Sequence, residues 1–192
     1  MNHKDILGNF FRRMMPLYPP RTEALLRRTS PSDLQRLTFR YIFTVDGMTE
    51  ISHMIEGLIT ASPGVSESHV SFQYVSRIAP QMDRYKLVAQ ASRGLWVYGV
   101  PDVALPELPN TACVDTSGTP LENYWYVIAY GLGISATLLA EEITPEERLP
   151  GEPRMYEGFY TFEADTAYQV LAVLHQLFPE KVPPPTMPER MA

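Results

Sequence analysis

Residues 123–140 read NYWYVIAYGLGISATLLA, eighteen positions without a charge between Glu122 and Glu141. A membrane span, a buried core element and the wall of a binding site all fit such a run. A span needs about 20 apolar residues and a basic cytoplasmic flank. This run sits at the short limit, has acidic flanks and is interrupted by Gly131-Leu132-Gly133. Two strands joined by a glycine loop account for it better. Tyr124–Tyr130 and Ile134–Ala140 are rich in aromatic and branched side chains, and the loop between them is a hairpin signal. Alternation along the first strand puts Tyr124, Tyr126, Ile128 and Tyr130 on one face, with Trp125, Val127 and Ala129 on the other. The second set suits close helix packing. The tyrosine ladder, with its polar tips, is read as the border of a ligand groove or partner surface. On that reading Tyr126→Ala weakens binding more than folding.

Outward from the hairpin the chain alternates helical and extended patterns. In residues 48–61, Ile51, Met54, Ile55, Leu58 and Ile59 recur at helical spacing, with Thr49 or Asp46 as possible caps. HVSFQYVSR at 69–77 alternates like a strand, residues 79–92 read as a helix, and GLWVYGVPD at 94–102 reads as a buried strand. A strand-helix-strand unit of this length predicts a parallel pair. A turn-rich connection carrying a short TACVD strand at 111–115 follows. Beyond the hairpin come a polar break at 144–153, a strand RMYEGFYTF at 154–162 and a helix over 164–178 with Ala167, Val170, Leu171, Leu174, Leu177 and Phe178 inward. The organisation expected is a basic amphipathic helical extension over 1–44, a central domain over 45–178 and a flexible proline-rich tail over 179–192.

The formal charge of -6 is unevenly spread, because residues 1–40 hold eight Lys/Arg against three acids. In residues 5–15, Ile6, Leu7, Phe10, Phe11, Met14 and Met15 form an apolar stripe with Arg12 and Arg13 opposite. Phe10, Phe11, Arg12 and Arg13 are therefore read as the contact of an arm that docks on a partner or on its own acidic body. The interleaving with apolar residues and the missing recognition motif argue against nucleic acid. One cysteine, Cys113, excludes a disulfide framework and a four-cysteine metal site, and no secretory pattern opens the chain. A cytoplasmic protein without a transmembrane segment is the expectation.

Chemistry-bearing motifs are sparse. GLG at 131–133 has no GxGxxG extension, no nucleophile–base arrangement is visible, and the four histidines lie far apart. His53 and Glu56, three apart on one helix, can meet on neighbouring turns; a local hydrogen-bonded pair is the simpler reading than a metal site. An enzyme would need Glu157 or Glu122 beside His53 in a pocket. Cys113 has no neighbouring His or Arg to lower its pKa for attachment of a chromophore. The distinctive feature is aromatic. Tyr98, Tyr124, Tyr126, Tyr130, Tyr156 and Phe159 fall on expected strands, and two readings stand: core and protein interface, or a pocket holding a small apolar or planar ligand.

ISHMIEGLI at 51–59, the strand-helix-strand from HVSFQYVSR to GLWVYGV, PLENYWYVIAY…SATLLAEE, and above all EGFYTFEAD at 157–165 resemble the DICT domain, over about residues 45–178. DICT domains are bacterial sensory domains found beside diguanylate cyclases, phosphodiesterases and histidine kinases. The resemblance implies an α+β fold, a four- to five-stranded mixed β-sheet packed with helices, and a non-catalytic role in sensing or signal relay in a light or stress response. It brings no catalytic residues and leaves any cofactor or chromophore unnamed. Acting in trans, such a protein needs a signalling partner. A structural homodimer built by the N-terminal helices or a sheet edge, without ligand, is the alternative.

Overall fold

The computed structural model describes residues 41–143 and 154–191. Among them a seven-stranded mixed sheet runs in the order β1-β7-β6-β5-β2-β3-β4. The strands are β1 (Tyr41–Thr44), β2 (Ser66–Tyr74), β3 (Leu95–Val100), β4 (Thr111–Asp115), β5 (Tyr124–Gly131), β6 (Ile134–Glu142) and β7 (Met155–Thr161). Three α-helices accompany them: α1 (Val45–Ala61), α2 (Met82–Ala91) and α3 (Ala164–Leu177).

The uncharged run is a hairpin, β5 and β6 pairing antiparallel from Tyr124↔Glu141 to Gly131↔Ile134. The turn is Leu132-Gly133, with Gly133 at φ +74, a conformation glycine adopts without Cβ strain. β2 and β3 are parallel, as the strand-helix-strand pattern predicts. β2 also pairs antiparallel with β5, so it lies in the middle of the sheet and is covered on both faces. That explains why its simple alternation does not translate into one wet face.

The expectation of four to five strands is corrected to seven. The lower count comes from the resemblance; the residue pattern itself marks six of the seven strands, TACVD among them, and misses β1. β1 is four residues long and passes straight into α1, so no turn residue announces it; Thr44 is both its last residue and the helix N-cap, accepting from the Gly47 N–H at 3.2 Å. The cap is therefore neither Thr49 nor Asp46. β4 adds to β3 in parallel after the proline-rich connection and closes the other edge. Because β1 pairs with β7, the sheet begins ahead of residue 45. The rest of the expected N-terminal extension, with Phe10, Phe11, Arg12 and Arg13, lies outside the described residues, as does most of the polar break.

Two cores flank the sheet. One, under α1 and α2, collects Met48, Ile55, Ile59, Tyr85, Val88, Val97, Val127 and Leu138. The other, under α3, collects Tyr98, Val114, Tyr124, Tyr126, Tyr130, Leu139, Leu171 and Leu174. The stripe of α1 is rotated from the one the apolar spacing suggests. Ser52 and Glu56 are buried while Met54 and Leu58 are more than a third exposed. Local bonds make this burial tolerable. Ser52 Oγ donates to the Met48 carbonyl and accepts from Trp125 Nε1, and Glu56 accepts from the Tyr85 hydroxyl.

The segment after α3 packs against the sheet instead of projecting as a free tail. Val182 is buried, its carbonyl meets His175 Nδ1 at 2.7 Å, Trp96 Nε1 donates to the Lys181 carbonyl, and the Tyr130 hydroxyl donates to the Thr186 carbonyl. Prolines keep this segment from forming an α-helix, apart from a single 3-10 turn at Pro188–Arg190, yet they leave its carbonyls free to accept from side chains. Among the described residues no helix is long and apolar enough to cross a membrane.

Candidate functional site

The end of β2 is where the sheet departs from regularity. Between Ser71 and Tyr74 the register with β3 slips by one residue, and Gln73 takes φ +62, uncommon for a residue with a side chain. The bulge turns the Gln73 side chain into a polar cluster. Its Oε1 accepts from Arg77 Nη1, from Arg154 Nη2 and, at 3.3 Å, from the Tyr156 hydroxyl. Its amide nitrogen donates to Glu142 Oε2 at 3.0 Å, and Arg154 binds Glu142 through both Nε and Nη2. Three strands and a 3-10 turn thus deliver five side chains to one point: β2 gives Gln73, β6 Glu142, β7 Tyr156, the residue just before β7 Arg154, and the turn Val75–Gln81 Arg77.

Beside this cluster is a cavity of about 190 Å³. Phe72 and Trp125 give it apolar lining, Arg77 and Arg154 line it beside Gln73, and Thr49, Ser71 and Gln81 supply further polar atoms. Trp125 is fixed from two sides, by its bond to Ser52 and by an edge contact with Tyr156 at 5.5 Å between centroids. Arg77 also lies 4.9 Å from the centroid of the Tyr74 ring, a cation–π distance.

Among the described residues the cluster sets two guanidiniums against one carboxylate. Burial and the neighbouring Arg154 lower the pKa of Arg77, whereas the Glu142 bonds raise that of Arg154. Guanidinium stays protonated in either case. Burial pushes the Tyr156 hydroxyl up to about 12, so it is a neutral donor.

A polar track continues along α1. Gln81 Oε1 is 3.1 Å from His53 Nε2, and one turn on Glu56 receives the Tyr85 hydroxyl at 2.5 Å, with Arg84 Nε 3.6 Å from its other oxygen. Burial raises the Glu56 pKa above its usual 4.5. His53 and Glu56 bond to different partners, Gln81 and Tyr85, rather than to each other. Among the described residues no group of three His, Cys, Asp or Glu side chains is placed to hold a metal ion.

The structure divides the aromatic residues singled out in the sequence. Tyr156 stands in the cluster beside the cavity. Tyr98, Tyr124, Tyr126 and Tyr130 lie on the opposite face, at most 2% exposed, under α3 and the C-terminal segment, with Phe159 packed against them. The faces of β5 divide as alternation requires; α3 covers most of the tyrosine face, and Tyr130 at its end also lines a cavity of about 320 Å³ with Glu67, Arg93 and Thr186. There Tyr98 donates to or accepts from His69 Nδ1 at 2.9 Å, and His69 stacks on Trp96 at 4.5 Å between centroids. Cys113, half-buried on β4, has its thiol pKa pushed up by burial.

Sequence reasoning did not single out Gln73, Arg77, Arg154 or Glu142. The signal was faint: an arginine closes HVSFQYVSR and another opens RMYEGFYTF, so both stand at ends of aromatic strands. Only the sheet order shows that those ends meet.

No family model matches the chain, and no curated protein does. Among solved structures the chain is similar to the crystal structure of polyphosphate kinase from Porphyromonas gingivalis, with a TM-score of 0.49 and 16% identity. The match covers 84% of this chain and 29% of that one.

Proposed function

We propose that this protein is a sensory or regulatory domain that binds a small ligand beside the β2 bulge and relays its occupancy to a signalling partner in the cytoplasm. The observation that carries the reading is the cavity lined by Phe72 and Trp125 together with Arg77 and Arg154. Arginines that keep their protons recognise charge and shape and do not shuttle protons, so they suit binding better than turnover. The setting supports a response as well. Gln73 is held at φ +62 by bonds to Arg77, Arg154, Tyr156 and Glu142, and a ligand that takes over any of these donors releases part of that hold. The likeness of EGFYTFEAD to DICT sensory domains is a second support.

The test is a thermal-shift screen of the purified chain against a broad panel of small metabolites, followed by capture of partners with and without the best compound. A saturating, dose-dependent rise in Tm is expected, growing as ligand concentration exceeds Kd. A panel without any shift, together with no partner whose capture depends on ligand, would overturn the reading.

A further inference from the structure

The cluster at the β2 bulge has more donors than acceptors. Arg77 offers five N–H groups and has one hydrogen bond, to Gln73, among the described residues, and no carboxylate there lies within ion-pair distance of it. Arg154 is matched by Glu142, so among the described residues one positive charge is left over in the cavity lining. Two guanidiniums therefore converge on a neutral amide oxygen, Gln73 Oε1, although a charged acceptor makes the stronger bond. The cavity that Arg77 lines also has the apolar rings of Phe72 and Trp125 in its wall. At about 190 Å³ it is below the ~300–1,000 Å³ of drug-sized sites.

We propose that the ligand is a small monocarboxylic acid on a flat apolar body, its carboxylate bound by Arg77 and Arg154 in place of the Gln73 amide oxygen and its ring between Phe72 and Trp125. This rests on the ligand-binding reading above and names the ligand class. One surplus positive charge matches a monoanion. A phosphate monoester brings a second negative charge beside Glu142, whose carboxylate would oppose it. A neutral amide of the same shape leaves the spare donors of Arg77 with another weak acceptor.

Isothermal titration of the full chain with benzoate, benzamide and phenyl phosphate tests this. Benzoate is expected to bind, benzamide about 10-fold or more weakly, in keeping with the loss of a charge-assisted bond. Arg77→Ala and Arg77→Gln should each weaken benzoate about 10-fold or more and benzamide by clearly less, since only benzoate loses a charge-assisted bond; unfolding curves of both variants check that they fold. Should Arg77→Ala fail to fold, Arg77→Gln keeps the test. Equal binding of benzoate and benzamide, tighter binding of phenyl phosphate, or benzoate binding indifferent to both Arg77 variants would overturn the monocarboxylate class. No binding of the three probes would overturn it also. In each case the broader reading survives if a compound of another class shifts Tm in the metabolite screen, and falls with it if none does.

Discussion

Tyr98 and Tyr126 are neighbours in one core, 5.4 Å apart between ring centroids, yet their hydroxyls are in opposite situations. The Tyr98 hydroxyl meets His69 Nδ1, whereas the buried Tyr126 hydroxyl has no hydrogen-bond partner among the described residues. Removing one partner of a buried bond strands the other, at a cost of about 1–3 kcal/mol, but removing an unpaired hydroxyl strands nothing. Tyr98→Phe should therefore destabilise by about that amount, while Tyr126→Phe should leave stability unchanged or raise it. Urea unfolding of the two variants measures both. Tyr126→Ala is a different experiment, since it opens a cavity in a sealed core and costs about 3–5 kcal/mol. The polar tip of a tyrosine says nothing in the sequence about whether a helix will cover it.

At the scale of elements, the EGFYTF motif has a packing reason. A Cβ on Gly158 would collide with the Leu139 carbonyl and with Ala140 of the neighbouring strand, both backbone positions that cannot swing aside. β6 and β7 approach too closely there for any side chain, with Gly158 paired to Ala140. Gly158→Ala should lower the unfolding free energy by about 2 kcal/mol or more through forced strand separation. A denaturation midpoint equal to that of the unsubstituted chain would show that the strands part freely. The same element shows what the sequence could convey. Strand β7, helix α3 and the β5–β6 hairpin were legible because each has strong periodicity and clear ends. β1 was not, since four residues that lead straight into a helix carry neither a period nor a turn. The α1 stripe was legible as a helix but not in its rotation, which follows from Trp125 reaching Ser52 and Tyr85 reaching Glu56.

At the scale of the whole molecule, His69 and Glu56 are buried titratable groups whose linkages oppose each other. Burial lowers the His69 pKa from 6.5 to about 3, so the unfolded chain takes up a proton there below pH 6.5 while the folded chain does not. His69 thus contributes stability that is present above pH 6.5 and lost as the pH falls toward 3, by about 1.4 kcal/mol per pH unit. Glu56 is raised above 4.5 by burial, so the folded chain keeps a proton that the unfolded chain has released. Its effect is to lower stability as the pH rises through the window above 4.5. Where the Glu56 window above pH 4.5 overlaps the His69 window below 6.5, the two partly cancel. Urea unfolding from about pH 7 down to pH 4 should show Glu56→Gln losing stability on acidification more steeply than the unsubstituted chain, and His69→Phe losing it less. Parallel curves for all three proteins would contradict this assignment.

Hydrophobic period and turn chemistry, which are local, determined that 123–140 is a hairpin, that its two faces differ, that β2 and β3 are joined through a helix, and that a helix closes the domain. Local pattern also split β5 into a tyrosine face and a tryptophan face. Which face is mostly covered and which borders the Arg77 cavity was decided by α3 and the C-terminal segment covering the tyrosines, contacts between residues far apart in the chain. The cluster of Gln73, Arg77, Glu142, Arg154 and Tyr156 was likewise decided by tertiary structure. Its members come from strands that are adjacent only in the order β7-β6-β5-β2, and a one-residue bulge turns Gln73 toward them. Strand order and bulge are properties of the whole sheet, because they depend on which edges pair and on where the ladder must slip to keep both cores filled.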